Sequence, residues 1–455
     1  MKGIIAIKTK QIVLMLCLIL LISISKVSVA IGNSQYDSRT QHLTNCTKID
    51  KPGVYILSNS LTVDPREKIC LEVNSSNVLI DGKMNRIYGF FEKGEKAILI
   101  GGNSTNILKN ITLANVIIEG GYSGIKIKKA QDVSIISVYI KKPLEGVFIE
   151  DSSNILIENS RIDAEQRDVV SSNSVKLELK NNCFDSAYSH CVDITDNYYF
   201  LAENNSFLKC EGAGVQLDKT LWPKIIRNNI QNSMIGIEAI NCSQPTVSNN
   251  FIKNSTQQAL SIKFAKKGVL SQNKISQSQV GVFCQGCNIT KFEDLSLFNS
   301  VVGFVIRNSS NISIVSPLIE NISQNFLLIK GSNKILVDYS NIKKSESLIE
   351  DSQVQILIEK EMLKNNTIYN EKSSIIYEIQ NGSQVITTEN IKPLIENKGN
   401  ITIKTPIKEE KSILEKISIK HIIISIIIAL ILVLIYSEIK LLTSPNKKRR
   451  RRKRK

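Results

Sequence analysis

G-V-Q-L-D (214–218), G-I-E-A-I (236–240), G-V-F-C-Q (281–285) and G-F-V-I-R (303–307) share one step followed by alternation. The step recurs at Gly124, Gly146, Asp168, Cys191, Gly214, Gly236, Ala259, Gly281, Gly303, Asn325 and Ser347, every interval being 22 or 23 residues. The next residue is apolar each time, and the residue two further on is mostly apolar. Alternation signals a strand, and a fixed period of this length signals stacked, repeating coils.

A second strand run follows in each unit, as in I-L-I-E-N-S-R-I (155–162) and L-A-E-N-N-S-F (201–207). An amide recurs there at Asn159, Asn181, Asn204, Asn228, Asn249 and Gln272. Stacked coils would align these amides in one column at the strand spacing of ~4.8 Å, where each bonds the next. A leucine-rich repeat has one strand per unit and a different position for its Asn, so two runs per unit favour a parallel β-helix. Parallel crossovers are right-handed, which predicts an all-β, right-handed parallel β-helix solenoid. With each coil advancing ~4.8 Å, about fourteen coils would span roughly 65–70 Å.

The ends carry different signals. Residues 1–30 read as a secretory signal, with Lys2, Lys8 and Lys10 before an apolar run and Ser28-Val-Ala30 at the cleavage site. The uncharged run Ile422–Tyr436, extended by flanking apolar residues and snorkelling lysines, predicts a C-terminal transmembrane α-helix over 418–440. The polybasic tail 441–455 ends in nine consecutive cations, which places it on the cytoplasmic side against anionic lipid. Tail and N-terminal lysines account for all but three of the +16 formal charge, so basicity implies no nucleic-acid partner for the rest. The expected organisation is signal 1–30, lead-in 31–45, β-helix 46–364, final coils or cap 365–405, stalk 406–417, span and tail. It predicts a single-pass cell-membrane protein with its β-helix outside.

Fourteen N-x-S/T sequons, against about six expected from composition, suggest a glycosylated surface protein. The expected sites are Asn45, Asn74, Asn103, Asn110, Asn241, Asn254, Asn288, Asn308, Asn311, Asn321, Asn365, Asn381 and Asn400. Asn204 is excluded because the predicted ladder would bury it. Losing Cys17 with the signal leaves eight cysteines, an even number suited to an oxidising exterior. One pair among Cys183, Cys191 and Cys210 is expected. The pairing of Cys242 and of Cys284-x-x-Cys287 is open, Cys284 being read as a core residue. Three scattered histidines provide no zinc or copper cluster, so no metal or other cofactor is expected, with Ca²⁺ on carboxylates left open.

The segment C-T-K-I-D-K-P-G-V-Y-I-L (46–57), with C-L-E-V (70–73), N-V-L-I-D-G (77–82) and I-Y-G (87–89), resembles the first coils of the NosD-like right-handed β-helix family found in archaeal surface proteins. The resemblance extends over about residues 46–360 and implies that Cys46 pairs with Cys70. It does not carry over a role in copper-enzyme maturation, because no copper-ligand cluster is visible. Many β-helix relatives act on polysaccharides through outward side chains of one sheet. Here the polar outward residues concentrate at Arg167, Asp168, His190, Asp193, Gln216, Asp218 and Glu238, the candidate ligand-binding set. Asp193, Glu238 and Asp218 are the catalytic candidates. Asp193 and Glu238 lie two coils apart, ~9.5 Å, near the upper end of separations used by inverting glycosidases. The N-T-D and G-H-G motifs of polygalacturonase-like enzymes are absent. Two functions are therefore weighed: a non-catalytic surface protein recognising glycans or envelope proteins, and a membrane-tethered polysaccharide hydrolase or lyase.

Overall fold

The structure is a computed structural model that describes residues 40–386, apart from 91–93, 102–105, 186, 343, 360–365 and 382–383. The chain divides into units 1–404 and 405–455, and only the first contains described residues. The predicted signal, stalk, membrane span and basic tail lie outside them. Among the described residues no helix is long and apolar enough to cross a membrane.

Most coils contribute three strands, where the sequence suggests two. One coil comprises Glu145–Glu150, Ser153–Glu158 and Arg161–Asp163, and the next Arg167–Ser172, Val175–Lys180 and Cys183–Asp185. These strands pair in parallel with their counterparts one coil away. The result is three sheets, here called first, second and third in coil order, of fifteen, seventeen and twelve strands. The apparent run 155–162 crosses from the second strand to the third through a corner at Asn159 and Ser160. The third strand is mostly three residues long, too short to show its own period of two, and so it reads as a continuation.

The period becomes packing through register. Ile125, Val147, Val169, Val192, Val215, Ile237, Leu260, Val282 and Phe304 are aligned coil on coil and wholly buried. The third sheet adds its own inward column, including Ile140, Ile162, Phe184, Phe207 and Ile230. Each coil packs only on its neighbours, so the core grows by repetition.

An amide ladder is present, one residue later than the expected column. Asn182, Asn205, Asn228, Asn250 and Asn273 are buried, and successive side chains bond Nδ2 to Oδ1 at 3.1, 3.0, 3.0 and 2.9 Å. Of the predicted members only Asn228 belongs to it. Asn159, Asn181, Asn204, Asn249 and Gln272 are exposed, with φ between 51° and 56°. The corner needs one left-handed residue, a conformation Asn tolerates better than most, and the following residue then turns inward. Asn204 is therefore outside the ladder, and its side chain accepts a bond from Arg227 Nε at 3.2 Å.

Cys46 and Cys70 form a disulfide joining adjacent strands of the first two coils, the pair the resemblance implies. Cys191 bonds Cys210, and Cys284, which is buried as expected of a core residue, is paired with Cys287. Cys183 and Cys242 are free thiols. The last strand among the described residues, Gln384–Ile386, runs antiparallel to Ser374–Asn381.

Candidate functional site

The first sheet presents its outward side chains in the predicted column. Lys126, Phe148, Val170, Asp193, Gln216, Glu238, Ser261, Phe283 and Val305 are in unbroken register. Asp193 and Glu238 are thus two coils apart, with Gln216 between them. The adjoining outward column brings Thr195, Asp218 and Lys263 alongside.

Asp193 and Glu238 are bound to cations of the same sheet. Arg167 bridges two carboxylates, with Glu145 Oε1 at 2.5 Å and Asp193 Oδ2 at 3.2 Å. Glu238 takes a bond from Lys263 Nζ at 2.7 Å and lies near Ser261 Oγ at 3.4 Å. At 7% exposure Glu238 is buried beneath these partners, although an outward register position suggests a solvated side chain. Lys263 reaches it from the next coil, which register alone does not show. Asp218 accepts from Asn241 Nδ2 at 3.2 Å.

His190 stands at the entry to this sheet, where its Nδ1 accepts the backbone N–H of Ala213 at 2.9 Å. The neutral ring therefore carries its proton on Nε2. Burial holds its pKa below the usual imidazole value, while Asp193 and Glu238 act in the opposite sense. Gly212 makes this seat possible, since a Cβ there would fall 2.7 Å from Nδ1.

Asp168 does not belong to the outward set. It occupies the inward unit-start position that most coils give to Gly and is wholly buried, with Oδ1 accepting Ala164 N–H at 2.8 Å. Burial pushes its carboxyl well above the usual carboxylate range, and the backbone N–H groups of Ala164 and Asp185 oppose the shift. Below the ordinary carboxylate pKa both folded and unfolded chains carry the proton, and no charge is buried. As pH rises the unfolded chain ionises first, so stability falls until the folded group also ionises. Asp168→Asn keeps an acceptor for Ala164 without a titrating proton. Thermal melts are expected to show little difference at about pH 3 and a variant several degrees more stable at pH 7. A gap that is widest in acid would contradict this assignment.

Sequence reasoning missed a second surface feature, on the second sheet and the corner leading into it. Tyr199 and Trp222 stack at 5.1 Å between ring centroids, and Tyr198 lies tilted 6.2 Å from Trp222. Tyr199 and Trp222 border a groove of about 360 Å³ together with Lys176, Glu178, Leu201 and Lys224. The available signal was that Trp222 is the chain's single tryptophan, one coil on from a Tyr-Tyr pair. Among the described residues no group of three or more His, Cys, Asp or Glu is arranged to hold a metal ion.

The sequence model of the family described as Right handed beta helix region matches residues 67–221 and 213–358, more than half of the chain. The chain belongs to this right-handed β-helix family. No curated protein matches it significantly. Similar solved right-handed β-helices include the tailspike protein of E. coli bacteriophage HK620, at 10% identity and TM-score 0.49, covering 74% of this chain and 72% of that one. DFA-IIIase from Arthrobacter chlorophenolicus A6 is 10% identical with TM-score 0.47, covering 64% and 84%. PfbA, a surface adhesin of Streptococcus pneumoniae, is 13% identical with TM-score 0.35, covering 74% and 85%.

Proposed function

We propose that this chain is a secreted, glycosylated β-helix, held at the cell membrane by one C-terminal span, that recognises glycans or envelope proteins without cleaving them. The observation that carries the choice of binding over cleavage is the commitment of Asp193 and Glu238, two of the three candidate acids. A glycosidase acid must present a proton to the glycosidic oxygen, and its partner must face a water or the sugar. Glu238 faces Lys263 and Ser261 instead, and Asp193 faces Arg167. The alternating cations, carboxylates and amides of this face suit hydrogen bonding to hydroxyls and acidic groups. The apolar run 418–440 and the cationic tail support the anchor, and the sequons support the exterior location.

The test is sugar release by the purified full-length chain on a polysaccharide panel, run beside a glycan array. Binding without release is expected. The Asp193→Asn, Glu238→Gln pair should change the array profile and leave the absence of turnover unaltered. Sugar release by the native chain that disappears in the pair would establish the hydrolase reading instead.

A further inference from the structure

We infer that the groove beside Tyr199 and Trp222 binds a saccharide ring bearing an anionic group. The inference rests on the recognition reading above for the kind of ligand, and on a separate set of residues for its place. Tyr199 and Trp222 have φ of 56° and 51°, in a corner column that elsewhere holds Asn77, Asn110, Asp132, Asn154, Lys176, Gln244, Lys267, Ile289, Asn311 and Lys334, with Ile289 its only other apolar member. Bulky aromatic residues are disfavoured in this left-handed conformation, whereas Asn and Asp adopt it readily. Both residues nonetheless present surface to solvent, Tyr199 at 54% exposure and Trp222 at 36%. Strained, exposed aromatic rings lining a groove are better explained by a ligand than by packing.

The groove's chemistry narrows that ligand. One wall is the stacked aromatic pair and Leu201 lies beside it, while the polar rim is Lys176, Glu178 and Lys224. A sugar ring matches this division, because its C–H face meets the negative face of an aromatic ring and its hydroxyls reach the rim. The charge is unbalanced. Glu178 is shared between Lys180 at 2.5 Å and Lys176 at 3.8 Å, and Lys224 has no carboxylate partner among the described residues. A carboxylate or sulfate on the sugar would supply the missing negative charge.

Because Trp222 is the only tryptophan, the emission of the full-length chain reports on this groove directly. Titrations would use a glucuronate-containing tetrasaccharide, a sulfated tetrasaccharide and neutral maltotetraose. A saturable change is expected with at least one anionic probe, which also tells carboxylate from sulfate, and at least tenfold weaker binding of maltotetraose. Lys224→Gln should weaken the anionic probe about tenfold. Tyr199→Asn, which installs a residue typical of this column and keeps the reporter, should abolish the response. Absence of a response to both anionic probes, or equal affinity for the neutral one, overturns the inference. If array binding survives Tyr199→Asn but is lost on altering Asp193 and Glu238, this site is wrong and the recognition reading stands. If the native chain binds no glycan, the recognition reading itself falls.

Discussion

Asn228→Leu is expected to cost about 3–6 kcal/mol, the largest effect of any single side-chain change in the second and third sheets' shared corner. Asn228 Oδ1 accepts both the backbone N–H and the side-chain Nδ2 of Asn205, at 2.9 and 3.0 Å. Its own Nδ2 reaches the carbonyls of Ala202 and Ile226, at 2.9 and 3.1 Å, and Asn250 Oδ1 at 3.0 Å. Leucine matches asparagine roughly in size but makes none of these bonds. Two N–H groups on Asn205 would then be buried without partners and the Ala202 carbonyl would lose a donor, while Ile226 O keeps the N–H of Asn204 at 3.2 Å, at about 1–3 kcal/mol for each group left unsatisfied. The neighbouring column gives the control. Asn181 is exposed with φ of 55°, so Asn181→Gly keeps the corner geometry and should change stability by less than about 0.5 kcal/mol. Denaturant midpoints of the two variants decide the register. Equal losses would mean that the inward column does not carry the corner.

That contrast also shows how the sequence conveys this fold. Apolar positions of the first sheet are legible because most of its strands are six residues long and repeat without a gap, as in Ala213–Asp218 and Ile235–Ile240. The outward column from Lys126 to Val305 follows from the same alternation. The third sheet is hidden because strands such as Asn229–Gln231 are too short to alternate visibly. Amide doublets such as Asn181-Asn182 and Asn204-Asn205 announce the corner but do not say which member turns inward. Backbone φ decides that, and only the structure supplies it. The same limit governs the site. Register places Asp193 and Glu238 correctly, yet the reach of Arg167 and Lys263 across coils, which sets whether those carboxylates are available, depends on side-chain paths. Asp168 was misjudged because a charged residue at a repeat's first position reads as surface, although that position points into the core. The aromatic corner was invisible to a search for periodic acids, since its meaning comes from a left-handed backbone beneath exposed rings.

The second large effect is expected from the Cys46→Ala, Cys70→Ala pair, at about 3–4 kcal/mol confined to the first coils. Cys46 and Cys70 are 24 residues apart and join successive coils where Thr47 pairs with Leu71. Closing a loop of this length removes chain entropy from the unfolded state by roughly that amount. The effect is local because of the architecture. Among the described residues, the strands Gln41–Leu43 and Thr47–Ile49 each have a coil on one side only, through Gly53–Leu57 and Ile69–Val73. Detaching the first coil therefore breaks one interface, whereas opening an interior coil breaks two. Cys191–Cys210 ties two points of a single interior coil, so its removal should act on the whole solenoid's cooperative unfolding instead. Native-state hydrogen exchange separates the two cases. The Cys46, Cys70 variant should lose amide protection in residues 41–57 and 69–73 while Val192–Thr195 and Ala213–Asp218 exchange as before. Protection lost evenly along the helix would mean that the first coil is not an independently fraying end, and that its disulfide stabilises the solenoid as one unit.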